Sequence, residues 1–436
     1  MDAKRLRIGM VDVDLMSSGT RFPNLAQMKM SAYCRSRGCD VVSLYKAADL
    51  DDLDTFDAVL VSKVFTFSEV PEKLAKAMGT DLRALNLDIC EVVDALPSEK
   101  TVYAIGGTGF FEDGGRRLCD EIEHIMPDYH LYDAYVADMQ AQGKSRALTL
   151  CYTDFSIGFT SRGCFRGCDF CVNRFHDRRA VRHSPVSEFL DPSRKYITCQ
   201  DDNILGCKDW EAVMDELEAT GKPFHFKQGM DIRLMSDKKA SRLASCKYYG
   251  DYTFAFDRVD DFELIYRKLK LWRSHTDRST KLYLICAFDP VDETPAKPER
   301  PMGAHVMAMR SLPDRRSKDQ LDLEFLFERI RVCMSLECLP YVMRFEAYKD
   351  SEYRDLYVQL ARWCNQPSIF KKKSFREFCI ANQEYAKSDK PCATMKAMMH
   401  FESDRPDLAE RYFDMKFGEP ETLRKGVWEL DLGPAP

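Results

Sequence analysis

Arg7-Ile8-Gly9-Met10-Val11-Asp12-Val13 reads as a buried strand, and it opens an alternation that decides the fold. Residues 24–37 follow with apolar positions at Leu25, Met28, Ala32 and Tyr33, a helical spacing that stops at Gly38. Val41-Val42-Ser43-Leu44-Tyr45 is a second strand and Ala58-Val59-Leu60-Val61-Ser62 a third. Thr101-Val102-Tyr103-Ala104-Ile105 is a fourth, running into the turn Gly106-Gly107-Thr108-Gly109. Strands alternating with helices imply a parallel sheet covered on both faces. Ligands of such sheets sit at the carboxyl ends of the strands, where the glycine turn lies.

Beyond about residue 150 the alternation restarts. Strands are expected over 156–160, 196–200, 224–228, 252–256, 281–287 and 341–345, with helices over 210–220, 237–245, 262–273 and 321–336. Six strand–helix units in about 200 residues fall short of the eight-unit barrel at its typical ~250, so an open, partial (β/α)6 barrel is expected. Its chemistry would lie just past the strand ends. Residues 289–319 hold Pro290, Pro295, Pro298, Pro301 and Pro313 and read as a long insertion after the strand at 281–287, either a lid or a plain loop. From about 350 to 417 the pattern is helical, and no internal repeat is visible. The expected organisation is 1–140, 150–350 and 351–436.

Composition narrows the class. The 436 residues are 45% hydrophobic and 31% charged, which excludes global disorder. No apolar run approaches the roughly 18–20 residues of a membrane helix. The net charge of −6 gives no overall reason to bind nucleic acid. Residues 1–7 show neither a long apolar core nor a small-residue cleavage site, so a reducing cytoplasm is expected. There, most of the 17 cysteines would be packing residues rather than disulfides.

One group of cysteines stands apart. After the fifth strand comes Gly158-Phe159-Thr160-Ser161-Arg162-Gly163-Cys164-Phe165-Arg166-Gly167-Cys168-Asp169-Phe170-Cys171, a Cys-x3-Cys-x2-Cys spacing. Three thiolates on one short loop suit three irons of a 4Fe–4S cube, leaving the fourth iron without a protein ligand. Such an open position is what a catalytic centre keeps. The alternative is zinc, which would need a fourth ligand such as His176.

Cys164, Cys168 and Cys171, with aromatic Phe170 before the third, resemble the radical S-adenosylmethionine (SAM) enzymes. The resemblance implies a 4Fe–4S cluster whose free iron is chelated by SAM, and one-electron cleavage of SAM to methionine and a 5′-deoxyadenosyl radical. The runs Arg21-Phe22-Pro23-Asn24-Leu25 and Arg37-Gly38-Cys39-Asp40-Val41, with Gly106-Gly107 and Pro127-Asp128-Tyr129, are similar to the Rossmann-like, cobalamin-binding-type domain that precedes many of these barrels. The Asp-x-His-x-x-Gly motif that gives cobalt a lower histidine in some of them is absent. The implied cofactors are thus the cluster and SAM, with cobalamin left open.

Asp201-Asp202-Asn203 lie just past the sixth strand. The resemblance gives Asp202 and Asn203 to the SAM amino group; an N-cap for the helix near Trp210 is the plain alternative. Arg233, after the seventh strand beside Asp231, would clamp the SAM carboxylate or make an ion pair. Asp257, Arg258, Asp289, Arg344 and Glu346 also follow or end strands. Cys199, Cys207 and Cys286 read as small hydrophobes, and Cys364, Cys379 and Cys392 are spaced too widely for a second cluster. Gly106 and Gly107 are read as room for a bulky ligand at the first sheet.

The function expected is that of a radical SAM enzyme acting on a small or peptide-like substrate with an external electron donor, and methylating it if cobalamin binds. An RNA-modifying enzyme is a second reading, with a basic groove formed by Arg178, Arg179 and Lys371-Lys372-Lys373 within two basic patches that also hold Arg174, Arg182, His183 and Arg376. A non-enzymatic iron–sulfur or zinc protein is a third. The catalytic residues of the substrate reaction are not readable.

Overall fold

The computed structural model describes residues 5–175, 178–288, 317–387 and 389–432. His176, Asp289 and most of the Pro-rich insertion therefore lie outside the described residues. The described chain is mixed α/β with parallel sheets and a helical C-terminal region. It divides into two compact units, residues 1–227 and 228–436.

In the first unit, strands β1 (Arg7–Asp12), β2 (Asp40–Leu44), β3 (Ala58–Ser62) and β4 (Val102–Gly106) form one sheet in the order β2-β1-β3-β4. All its pairings are parallel, with Ile8 between Val41 and Ala58. Every residue of β3 is buried, because both faces are covered. Side chains alternate across it: Ile8, Met10, Ala58 and Leu60 enter one core with Met28 and Tyr33. Val11, Val59 and Val61 enter another with Leu44 and Leu74. The helix Leu25–Ser36 starts where Asn24 caps it, its side chain accepting from Gln27 N at 3.2 Å. The buried Gln27 amide then donates to the carbonyls of Val11 and Leu60, both at 3.1 Å, fastening that helix to two neighbouring strands.

The same unit holds a second parallel sheet. It is made of β5 (Phe155–Gly158), β8 (Tyr196–Cys199) and β9 (Phe224–Phe226), in the order β5-β8-β9. Between β5 and β8 the chain folds back on itself. β6 (Ser161–Arg162) pairs antiparallel with β7 (Val181–Arg182), so that the intervening residues form a loop with a closed neck.

The second unit contains β10 (Tyr252–Ala255), β11 (Thr280–Cys286) and β12 (Leu339–Arg344), parallel and in sequence order. The anticipated strands of the second half are thus present as two three-stranded ladders. Arg329, from the helix Lys318–Ser335, is buried against the strand ends and donates to the carbonyls of Phe256, Asp257 and Ile285. The chain closes with the helices Arg354–Cys364, Phe375–Ala386, Ala393–Asp404 and Pro406–Tyr412. Among the described residues no helix is long and apolar enough to cross a membrane.

The cysteines depart from expectation at one place: Cys90 and Cys119 are joined as a disulfide, while the other 15 form none. Each stands at the start of a short helix, Ile89–Asp94 or Asp120–Glu123, along the same flank of the first core. Their spacing of 29 residues carries no motif, and pairing of this kind is set by tertiary packing.

Candidate metal centre

Cys164, Cys168 and Cys171 all lie on the closed-neck loop, half-buried and outside any disulfide. Their local conformation is set from the carboxyl end of β8, by three consecutive side chains. Asp201, buried, accepts from the backbone N–H and hydroxyl groups of Thr160 and Ser161, at 2.5 to 3.1 Å. Burial pushes its carboxyl up, and those four donors oppose the shift. Asp202 accepts from Gly163 N at 2.7 Å, where the backbone takes φ +89, a conformation open to glycine. Asn203 donates its Nδ2 to Cys164 Sγ at 3.5 Å.

The rest of the loop is wound tightly. Cys171 N donates to Cys168 O at 3.0 Å, and a short turn over Val172–Phe175 follows. Gly167 has φ +55, and the Arg178 guanidinium fills the space a side chain there would need. Phe165 and Phe175 face outward with Arg166 and Arg174 over their rings, while Phe170 is half-buried.

Three soft thiols on one constrained loop, one already receiving an amide N–H, fit an iron–sulfur cluster by donor chemistry. Among the described residues no three His, Cys, Asp or Glu side chains are gathered as ligands of a single ion. Thiolates that each hold a different iron stand further apart than ligands sharing one ion. The fourth ligand considered for zinc, His176, lies outside the described residues.

A charged network ties the neck of the loop to the first sheet's helices. Glu123 accepts from Arg162 at 2.7 Å, stands 3.1 Å from His183 Nε2, and pairs with Lys29 at 3.3 Å. Burial alone would raise the Glu123 carboxyl. The His183 hydrogen bond with the Arg162 and Lys29 charges overcomes this and brings it down to about 2. Two further contacts join the carboxyl-end loops of the first sheet to this region. Glu112 pairs with Arg174 of the cysteine loop, and Lys227, just past β9, sits over the Phe22 ring at 4.1 Å.

The glycine turn needs a correction. A Cβ at Gly107 would meet the Lys63 carbonyl, and one at Gly109 the Lys63 side chain and the Phe65 carbonyl. These glycines make room for the chain's own loop after β3, not for a bulky ligand. Gly106 alone has open space beside it. The cradle expected for cobalamin at Gly107 therefore does not fit.

The remaining candidates are placed as follows. Arg233 is nearly buried, with Nε on Asp231 at 2.6 Å and Nη1 on Asp261, so its guanidinium is held by two carboxylates of its own unit. Asp257 is half-buried and accepts from Ile285 N at 3.1 Å. Arg258 pairs with Asp260, Arg344 lies over Tyr348, and Glu346 pairs with Lys349. The helix at Trp210 is headed by Asp209, so the Asp201-Asp202-Asn203 run does not cap it. Cys199, Cys207, Cys286, Cys364 and Cys379 are buried. Glu123 was missed as a site-builder, and Asp201 was read only as part of the polar run at a strand end, not as the anchor of the cysteine loop.

No family model and no curated protein matches the chain. Among solved structures it is similar to two of TsrM from Kitasatospora setae, a radical S-adenosylmethionine methyltransferase. One has cobalamin and a [4Fe-4S] cluster bound, at 13% identity and TM-score 0.39, over 65% of this chain and 69% of that one. The other has a tryptophan substrate and a SAM analog bound, at 12% identity and TM-score 0.37, over 64% and 67%. Overlap of this degree is reached by shared α/β layering, and a shared architecture does not fix a shared function.

Proposed function

We propose that this chain is a radical SAM enzyme, with Cys164, Cys168 and Cys171 holding a 4Fe–4S cluster. The observation that carries the reading is the attachment of the Cys-x3-Cys-x2-Cys loop to the carboxyl end of β8 through Asp201, Asp202 and Asn203. A loop intended only to pack would not need three successive polar anchors. When bound, the cluster and SAM would supply reductive cleavage to methionine and a 5′-deoxyadenosyl radical. The chain's own part is to fix the loop through Asp201, to set the Gly163 turn through Asp202, and to leave one iron without a side chain. Phe170 and Arg233 remain candidates for SAM, and Gly106 for a ligand of the first sheet.

On this reading β5, β8 to β12 and their helices correspond to a partial barrel over residues 150–350, preceded by a Rossmann-like domain (1–140) and followed by helices (351–436). The protein would work in the cytoplasm on a small or peptide-like substrate, with an external electron donor. The RNA-modifying reading is weaker, since Arg174, Arg182 and Arg376 are matched by Glu112, Glu216, Glu402 and Asp414. Anaerobic reconstitution with iron and sulfide tests the proposal. About four irons per chain and dithionite-dependent formation of 5′-deoxyadenosine are expected. A folded protein that takes up no iron, or takes up one zinc instead, would refute it.

A further inference from the structure

We propose that Asn203 is a positioning residue that sets the reduction potential of the cysteine-bound centre through its hydrogen bond to Cys164. The inference rests on the cluster reading above and goes beyond it, because it assigns the amide to the sulfur rather than to a substrate or to SAM.

Three observations converge on that side chain. The first is the bond itself, Nδ2 to Cys164 Sγ at 3.5 Å, within reach for an N–H donor on a large, polarisable sulfur. The second is the other end of the same amide. Asn203 is only 3% exposed, and its Oδ1 is buried with no hydrogen-bond partner. A buried carbonyl in that state is unfavourable, so the amide is not held there by its oxygen. Turning it over would bring the oxygen against the sulfur, acceptor against acceptor. The sulfur therefore fixes which way the amide points.

The third observation is Gly206. Asn203 leads into the short turn Ile204–Gly206, and Gly206 N returns to the Asn203 carbonyl at 3.0 Å. A Cβ at 206 would stand 2.8 Å from the Phe165 ring and 3.2 Å from Asn203 Nδ2. The absent side chain is the seat of the amide. Asp202, one residue earlier, holds Gly163 at 2.7 Å, so the donor and the residue before its acceptor are both tied to one strand end.

The physical consequence follows from the direction of the N–H dipole. A donor aimed at a thiolate stabilises negative charge on it, and the form carrying one more electron is the more negative. Hydrogen bonds to ligating sulfurs are among the determinants of such potentials. Asn203 therefore makes the centre easier to reduce by one electron. In the test that electron comes from dithionite through redox mediators.

The experiment compares midpoint potentials of the reconstituted full chain, wild type against Asn203→Ala, Asn203→Asp and Gly206→Ala, with iron content measured on each. Asn203→Ala should lower the reduced-to-oxidised ratio about tenfold at a fixed potential, a negative shift of about 59 mV for one electron. Asn203→Asp keeps the shape, removes the donor and adds charge, so it should shift further. Gly206→Ala keeps the amide but displaces it, and should shift less, in the same direction. An unmoved midpoint in any variant at position 203 that retains its iron overturns the inference and leaves the cluster reading intact. If neither position-203 variant retains iron, the midpoint of Gly206→Ala decides in the same way. Should all three lose iron that the wild type keeps, the role is structural and the inference falls. A wild type that builds no cluster removes the reading itself.

Discussion

Asp202 and Gly163 are 39 residues apart in sequence, yet the carboxylate of one accepts the backbone N–H of the other at 2.7 Å. With Asp201 on Thr160 and Ser161, and Asn203 on Cys164, this makes the end of β8 a template for the loop that leaves β5. The thiols are placed by this template more than by their own spacing.

Single Cys164→Ala, Cys168→Ala or Cys171→Ala substitutions should each abolish cluster absorbance and SAM cleavage, because on the proposed function each thiolate would be the sole protein ligand of its iron. Cys364→Ala and Cys379→Ala should leave iron per chain unchanged while costing about 1 kcal/mol in urea unfolding, as buried packing residues do. Full iron in any of the first three variants would show that the position is not a ligand.

Glu123→Gln should destabilise the fold by about 3–5 kcal/mol, since it strips the nearly buried Lys29 of its counter-charge. The pH dependence has a definite sign. The folded carboxyl titrates near 2, below its ordinary 4.5, so its stabilisation is complete above 4.5 and is lost as pH falls toward 2. Denaturant midpoints at pH 6 and pH 3 should therefore converge in the variant relative to the wild type.

Asp12 should show the opposite slope. It ends β1, caps the helix Val13–Ser18, and burial pushes its carboxyl up from 3.8 to about 7. The folded chain keeps this proton where the unfolded chain has lost it, so stability is greatest below 3.8 and falls as pH rises toward 7. Between pH 5 and pH 8 the group costs about 3 kcal/mol. Asp12→Asn retains an oxygen for the cap, and its unfolding free energy should fall less over that interval. Parallel profiles for variant and wild type would exclude the shift.

Gly106→Ala and Gly107→Ala should part company. Beside Gly106 there is open space, and the cost should stay within about 0.5 kcal/mol. Gly107 has φ +103 and the Lys63 carbonyl against it, so its substitution should cost about 2 kcal/mol or more. Thermal unfolding of the two proteins checks this. A tolerated Gly107→Ala would reopen the glycine turn as a ligand cradle.

Much of the scaffold was legible because period and punctuation agreed. β3 lies over Ala58–Ser62 as its β-branched run implies, and the helix Asp237–Ser245 ends as read. Strand ends slipped by a residue or two, as at β5, which starts at Phe155 and stops at Gly158 before the Thr160–Asp201 contacts begin. Partnerships were harder. Gly107 was taken for ligand space, whereas its neighbour is Lys63, more than 40 residues earlier. Nothing local records which backbone will approach a glycine. The same holds for Arg233, whose second partner, Asp261, is supplied by a different strand–helix turn.

The distance along the chain between the thiol loop and its template also orders events in the life of the protein. Nascent chain emerges at roughly 5–20 residues per second, so the cysteines are made seconds before Asp201, Asp202 and Asn203 exist. Until β8 is laid beside β5, the loop lacks every anchor supplied from residues 201–203. Premature loading would meet three mobile thiols with no preferred arrangement. On the proposed function, iron and sulfide would therefore meet a folded acceptor only after synthesis has passed residue 203.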